Sequence, residues 1–231
     1  MKKILKFTLL LIFPFNILFA APTSNNKGNE TWEIQLKFLP KDLTELKKLE
    51  QSKLLNPQDT VACYIAAICR YPESQEDAME MIEFLNGPTE LTPYDKQFYK
   101  DRLYDKKYLP KSYLKGSSPE NNYSPTEPFT VIISSNPYSY EQENLVKLFV
   151  KSSGADNPRP ITLRLKPSTG EWFLWDQALL GGIRIPASLD PWNWTSHDWA
   201  LSLLNKLRSL ALCRELLKYY LVSFEYLVFK H

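Results

Sequence analysis

The chain has 231 residues, and its 44% hydrophobic and 13% aromatic content is enough for a packed core, which excludes a disordered protein. Its 28 basic and 26 acidic residues give a formal net charge of +2, which does not provide the strongly basic surface that binds phosphate backbones. Nucleic acid is therefore not an expected partner, and one domain of ordinary size is the expected organisation.

The first twenty residues have the three parts of a cleavable secretory signal peptide. A basic stretch at residues 1–6 precedes an apolar run at residues 7–19, and two alanines follow. Cleavage is expected after Ala20, because cleavage after Ala21 would place Pro22 beside the scissile bond. The alternative is an uncleaved membrane anchor, but the run is short for a span and contains a proline and an asparagine. We therefore expect a periplasmic or secreted protein.

Removal of this leader takes away three of the 28 basic residues and none of the acidic ones, which leaves 25 basic and 26 acidic side chains. The mature chain is therefore close to neutral. Residues 21–30 are mostly polar and contain a glycine, so they are expected to form a flexible linker.

The mature chain then begins with one predicted strand and a block of helices. Apolar residues alternate over residues 31–38, as in a half-buried strand, and leucines at helical spacing over residues 43–49 indicate a short amphipathic helix. Three helices with capping signals follow, one after Asn56 that ends before Pro72, one after Ser74 that ends at Gly87, and one from Thr92 to about Tyr104. The helical block therefore has three or four helices.

The second half of the chain has the period-two pattern of β-structure. Residues 105–128 are rich in proline, serine and asparagine, and we expect a long connection there. Four strands are predicted after it, at residues 129–135, 146–151, 161–166 and 172–175, with a hairpin turn at 167–170. Helices followed by antiparallel strands are typical of an α+β domain. We predict a single domain at residues 31–192, in which the helices pack on a mainly antiparallel sheet of four or five strands.

Three stretches of the sequence carry a family resemblance. They are PYDKQF at residues 93–98, NPYSY at residues 136–140 and SSGADNPRPITLR at residues 152–164. On these stretches the chain resembles, over about residues 56–192, a bacterial domain family of unknown function. The resemblance implies a bacterial origin and a self-contained domain, and it brings no catalytic residues with it.

Residues 193–231 extend beyond this resemblance. Positions 203, 207, 210, 214, 217, 221, 224 and 228 follow a 3.5-residue repeat in which Arg214 is the one polar member, so an amphipathic C-terminal helix is expected. Its charged residues exclude a simple membrane span. Docking on its own domain, self-association or membrane-surface contact through residues 199–229, and a non-native terminus all remain open.

The signals for catalysis are weak. Ser112 and Lys115 have the serine–lysine spacing of penicillin-recognising enzymes, but no accompanying motif supports a nucleophile, so a plain surface segment is the preferred interpretation. The two histidines, His197 and His231, both lie in the C-terminal extension, which argues against histidine-dependent catalysis. No motif implies a cofactor, and no metal site is predicted.

Five acidic residues cluster on or beside one predicted helix: Glu73, Glu76, Asp77, Glu80 and Glu83. Paired carboxylates can act as general acid and nucleophile in glycoside cleavage. Spacings of three and four residues also place Glu76, Glu80 and Glu83 along one solvated face, as in any amphipathic helix. Nearby basic residues such as Lys96 can balance that face. The solvated face is the preferred interpretation.

The three cysteines, Cys63, Cys69 and Cys213, are too few for a disulfide framework. On one continuous helix Cys63 and Cys69 would lie about 10 Å apart, which is too far to bridge. Buried free thiols are the preferred interpretation, and a bridge from Cys213 to either remains open.

Six residues are the candidate ligand contacts: Tyr138, Tyr140, Asp156, Arg159, Trp172 and Trp175. Asp156 and Arg159 lie between two predicted strands, where recognition residues are common, although they can also cap the loop and pair with each other. The four aromatic residues could line a concavity for a carbohydrate, peptide or lipid fragment, although aromatic residues that alternate along strands are more often core.

The sequence thus predicts a non-catalytic binding or interaction module of the bacterial envelope or extracellular space, with an unknown protein or small ligand as its partner. The alternative is a secreted hydrolase that uses carboxylates on a cell-wall or polysaccharide substrate. A third class of function is membrane attachment through the C-terminal stripe.

Overall fold

A computed structural model describes residues 29–193. The predicted leader, its cleavage site, the linker up to residue 28 and the extension from residue 194, with both histidines and Cys213, lie outside the described residues. The chain folds into strand β1 (Thr31–Leu36), helices α1 (Leu43–Leu46), α2 (Pro57–Arg70), α3 (Gln75–Asn86) and α4 (Pro93–Leu103), and strands β2 (Phe129–Ser134), β3 (Leu145–Val150), β4 (Arg159–Lys166) and β5 (Glu171–Gln177). The predicted α+β class is confirmed.

The five strands form one antiparallel sheet in the order β1-β2-β3-β4-β5. Neighbours along the chain are therefore neighbours in the sheet, with the helical block inserted between β1 and β2. The register sets apolar residues opposite one another, as in the pairs Leu148 with Ile161 and Leu163 with Leu174. Because side chains alternate along a strand, this register gives the sheet one apolar face.

Helix α2 is the centre of the core. Its residues from Thr60 to Cys69 are all buried, and it contacts α3 and the strands β1, β2 and β5. A surface helix buries one stripe, whereas α2 buries residues on all its faces because other helices and the sheet pack around it. Cys63 and Cys69 are buried free thiols as predicted, and burial raises the pKa of each to about 12.

The helix starts agree with the capping signals in two of three cases. Thr92 forms a full capping box, in which its hydroxyl accepts from the Asp95 amide at 3.2 Å and Asp95 accepts from the Thr92 amide at 2.8 Å. Ser74 accepts from the Asp77 amide at 3.3 Å. Asn56 precedes α2 as predicted but does not cap it, because its amide donates to the Asp59 carboxylate at 2.8 Å.

Residues 105–128, expected to be only a connection, take part in the core. A 3₁₀ helix at Pro110–Tyr113 and a β-bridge from Leu114 to Val131 tie the segment to the sheet. Buried Tyr113 donates to the Leu179 carbonyl at 2.5 Å, and buried Tyr123 to the Arg184 carbonyl at 2.7 Å. A tyrosine can enter a core in this way because its ring is apolar and its hydroxyl finds an acceptor.

Within residues 29–193, no helix combines the length and the apolar character needed to cross a membrane.

Candidate functional site

Four serines lock the β3–β4 connection against the segment that precedes β2. Ser152 donates to the Ser112 hydroxyl at 2.8 Å, and Ser112 donates to the Leu109 carbonyl at 2.7 Å. The Ser153 amide donates to the Ser112 carbonyl at 2.9 Å, and the Ser153 and Ser117 hydroxyls lie 3.1 Å apart. We call Ser112, Ser117, Ser152 and Ser153 the serine clasp. The Ser152-Ser153 pair that begins the SSGADNPRPITLR stretch therefore has a structural role.

The serine clasp also shows whether Ser112 and Lys115 can act as a nucleophile and its base. Ser112 is only 1% exposed, so its interpretation as part of a surface segment is wrong for this residue. Lys115 is exposed and binds the Glu33 carboxylate at 2.8 and 3.0 Å. The serine is hydrogen-bonded within the clasp and the lysine is held by an acid on β1, so the pair lacks the geometry of a nucleophile and its base.

Asp156 and Arg159 hold the segment that follows β5 rather than each other. Asp156 pairs with Arg184, and the Arg159 guanidinium donates to the Gly182 carbonyl at 2.6 Å. The Arg184 amide also donates to the Gly154 carbonyl at 2.9 Å. The expected pairing of Asp156 with Arg159 is therefore wrong, because Arg184 and Gly182 are their partners. A ligand contact by either side chain remains a prediction.

The NPYSY stretch is a hydrogen-bonded turn between β2 and β3. The Asn136 side chain accepts from the Tyr138 amide at 2.9 Å, and Ser139 accepts from the Asn136 amide at 2.9 Å. Tyr138 projects into solvent with 69% exposure, whereas Tyr140 packs against the core and burial raises its pKa. The two tyrosines therefore have different environments.

The two tryptophans of β5 also differ. Trp172 packs against the core, its amide donates to the Leu54 carbonyl at 2.8 Å, and its carbonyl accepts from Thr60 at 2.9 Å. Trp175 is 52% exposed. Trp172 thus serves the fold, whereas Trp175 has a surface available to a ligand.

Trp175 lines a cleft of about 320 Å³ between the end of α3 and the β4–β5 hairpin, and we call it the Trp175 cleft. Of the four aromatic residues predicted to share one concavity, it is the one that lines this cleft. The volume lies at the lower end of the range for small-ligand sites. The rest of the lining comes from α3 and the turn after it, the start of β3, and the two strands: Asn86, Pro88, Thr89, Asn144, Arg164, Leu165, Lys166, Pro167, Phe173 and Leu174.

A β-bulge lies at Trp175. Leu163 pairs with Leu174 and Thr162 pairs with Asp176, so Trp175 is the extra residue on β5. A bulge turns a side chain away from the regular alternation of a strand. The wall opposite is fixed by Gly87 after α3, where an added Cβ would approach the Phe173 ring to 2.5 Å and where φ is +65°. The close approach therefore requires a glycine.

The cleft carries positive charge that no internal acid neutralises. The Arg164 guanidinium lies 4.5 Å from the centre of the Trp175 ring, which is cation–π geometry, and Lys166 lies on the same strand. Within the described part of the chain neither makes an ion pair, and no aspartate or glutamate lines the cleft. The sequence analysis places Arg164 and Lys166 in a predicted strand and does not name them as ligand contacts. Their positive charge is the one sequence feature that could have indicated such a role.

Three of the five acidic residues on or beside α3 form ion pairs. Arg70 binds Glu73 at 2.6 Å and Asp77 at 3.1 Å, and Lys96 binds Glu83 at 2.8 Å, which confirms Lys96 as a balancing charge. Hydrogen bonding by Ser74 and the charge of Arg70 lower the pKa of Asp77. Among the residues described, no three acidic, histidine or cysteine side chains are placed to hold a metal ion. The arrangement is that of a solvated helix face.

Comparison with known families agrees with the resemblance in the sequence. Residues 38–187 match a family described as a domain of unknown function, DUF6935. The chain belongs to this family. The matched range contains the whole serine clasp and the whole lining of the Trp175 cleft. No curated protein and no solved structure matches the chain.

Proposed function

We propose that this DUF6935 domain is an exported, non-catalytic binding module whose ligand site is the Trp175 cleft. One observation carries the proposal: a half-exposed tryptophan and an arginine 4.5 Å from the centre of its ring line a cleft of about 320 Å³, and the arginine makes no ion pair within residues 29–193. An exposed aromatic ring with charged and amide groups around it is a usual composition for a ligand site.

The candidate catalytic groups support a non-catalytic role. Ser112 is buried and hydrogen-bonded, and Glu73 and Asp77 share Arg70. Glu76 lines a groove of about 480 Å³ between α3 and α4, but no second carboxylate lines that groove. A glycosidase site requires two facing carboxyl groups, and this groove supplies one.

The export part of the proposal rests on the composition of residues 1–20. Expression of the whole chain in a bacterial host, followed by fractionation and N-terminal sequencing, tests it. We expect the protein outside the cytoplasm with Ala21 as its first residue. Uncleaved protein in the cytoplasm would refute export and leave the binding proposal to its own test.

The binding proposal is tested with the exported protein, residues 21–231, labelled with nitrogen-15. Backbone amide shifts are followed by NMR during titration with a panel of neutral saccharides, acidic saccharides and short peptides. We expect at least one probe to shift the signals of the cleft lining, and Trp175→Ala to abolish that response. Tyr138→Ala is the matched control, because Tyr138 is an exposed aromatic residue that does not line the cleft. A panel that shifts no cleft signal refutes the proposal.

A further inference from the structure

We propose that the ligand of the Trp175 cleft is a saccharide that carries a carboxylate, an inference that rests on the proposed function. The charge of the lining is the first argument. Arg164 and Lys166 line the cleft, and aspartate and glutamate are absent from its lining. The nearest acids along the chain, Glu90, Glu143 and Glu171, are not lining residues, although Glu171 lies opposite Lys166 in the β4–β5 register.

The geometry of Arg164 favours a carboxylate in particular. Its guanidinium carbon lies 4.5 Å from the centre of the Trp175 ring, and the group makes no ion pair among the residues described. A guanidinium matches the two oxygens of a carboxylate and can donate two parallel hydrogen bonds to it. The contact with Trp175 also restricts the arginine side chain before the ligand arrives, which lowers the entropy lost on binding.

The neutral part of the lining suits a sugar. Asn86, Thr89 and Asn144 bring amide and hydroxyl groups to the cleft, and such groups both donate to and accept from sugar hydroxyls. The aromatic side chains Phe173 and Trp175 provide apolar surface for the C–H face of a sugar ring.

A peptide fits the same cleft less well. The free edge of β5 is closed at Trp172, whose amide and carbonyl are bound by Leu54 and Thr60, so a peptide cannot add to the sheet at that residue. The lining also contains no acid to receive a peptide amino group or a basic side chain. We therefore infer an acidic saccharide.

The experiment is calorimetric titration of the exported protein at low ionic strength. The probes are tri-galacturonate, the same trisaccharide as its methyl ester, and an acetylated tripeptide with a free or an amidated carboxyl group. We expect tri-galacturonate to bind, and the methyl ester to bind at least tenfold more weakly because a neutral ester does not pair with Arg164.

Substitutions in the lining test whether the carboxylate binds in the cleft. Arg164→Gln should weaken tri-galacturonate binding at least tenfold, and Lys166→Gln by a smaller factor. The matched control is Arg102→Gln, because Arg102 also stacks on an aromatic ring, that of Phe98 at 5.4 Å, but does not line the cleft. We expect the control to bind within twofold of the parent protein.

The outcomes separate this inference from the proposed function. The acid and the ester could bind equally, with binding abolished by Trp175→Ala and unchanged by Arg164→Gln. This result would refute recognition of the carboxylate and leave the cleft as a ligand site. If the tripeptide with a free carboxyl group bound and tri-galacturonate did not, the inference that the ligand is a saccharide would be refuted. Tri-galacturonate binding that neither substitution alters would place the site elsewhere and overturn both proposals.

Discussion

Two regions of the molecule, both rich in polar residues, use those residues in opposite ways. In the β3–β4 connection the hydroxyls of the serine clasp, Asp156 and Arg159 are bound to other parts of the chain. In the Trp175 cleft, Arg164 and Lys166 have no acidic partner among the residues described. A conspicuous polar motif can therefore serve the fold alone, and a candidate ligand site is better recognised by polar side chains that have no partner within the fold.

The largest effect on stability is expected at Gly154 in the β3–β4 connection. An added Cβ would collide with the hydroxyl of buried Tyr123 and would lie 2.6 Å from Ile183 Cγ2. Gly154→Ala should therefore lower the free energy of unfolding by about 2 kcal/mol, the usual cost of overpacking. Urea denaturation measures the change.

Gly181→Ala is the control for this substitution, because the added Cβ would meet no atom within 4 Å. We expect it to change the free energy of unfolding by less than about 0.5 kcal/mol. If Gly154→Ala were as stable as Gly181→Ala, the connection would not be held by its neighbours and the contrast with the cleft would fail.

A smaller loss of stability is expected from Ser112→Ala. The substitution removes the acceptor of the Ser152 hydroxyl and leaves a buried donor unpaired, which costs about 1–2 kcal/mol. Ser168→Ala in the exposed β4–β5 turn should change little. A cycle with Ser152→Ala tests the pairing directly, since additive single effects would mean that the two serines do not cooperate.

Substitution of a paired acidic residue should change the stability of the fold in a pH-dependent way, whereas substitution of an unpaired one should not. The Ser74 hydrogen bond and Arg70 lower the pKa of Asp77 below its ordinary value of 3.8, so its ionised form stabilises the fold above that pH. This contribution is lost as the pH falls through the folded-state pKa. Asp77→Asn should therefore be less stable than the parent at neutral pH, and this deficit should be smaller at a pH below 3.8.

Thermal unfolding at both pH values measures this difference. Glu80→Gln is the control, because Glu80 is exposed on the same helix and makes no ion pair with a described residue. An Asp77→Asn variant with the same deficit at both pH values would show that the lost contact is not a charge effect.

The smallest effect on stability is expected in the cleft. Arg164 is exposed and its contact with Trp175 is a cation–π pair, which contributes at most about 1 kcal/mol at an exposed site. Arg164→Gln should therefore keep the urea midpoint close to that of the parent while it weakens ligand binding. A loss of stability as large as that of Gly154→Ala would show that Arg164 is a structural residue. The Trp175 cleft would then not differ from the β3–β4 connection in the way proposed.

The sequence predicted the regular elements well because their signals are local. Thr92 and Asp95 formed the expected capping box, and the alternating residues of β3 and β4 formed the expected strands. The interpretation of residues 105–128 as a connection missed their buried tyrosines, because nothing in a proline-rich stretch indicates which distant carbonyl will accept from a tyrosine hydroxyl.

The candidate site was only partly predictable. Trp175 was among the predicted ligand contacts, but so was Trp172. The alternation of a strand places these two residues on opposite faces, but it does not show which face the rest of the fold covers. The bulge at Trp175 was also not predictable, because a bulge depends on the pairing of two strands. Arg164 was not predicted as a contact, because its contact with the Trp175 ring and the absence of an acidic partner among residues 29–193 are visible only in the folded chain.

The α+β class, the helix starts, the strands and the family could be predicted from the sequence, since each depends on spacings of a few residues or on short motifs. Tertiary structure decided which polar residues became internal partners and which stayed free. Ser112 with Ser152 and Asp156 with Arg184 are 40 and 28 residues apart in the chain, and only folding brings such groups within hydrogen-bonding distance. Where residues 29–193 supply no acidic partner, as at Arg164, the polar atoms remain available to a ligand.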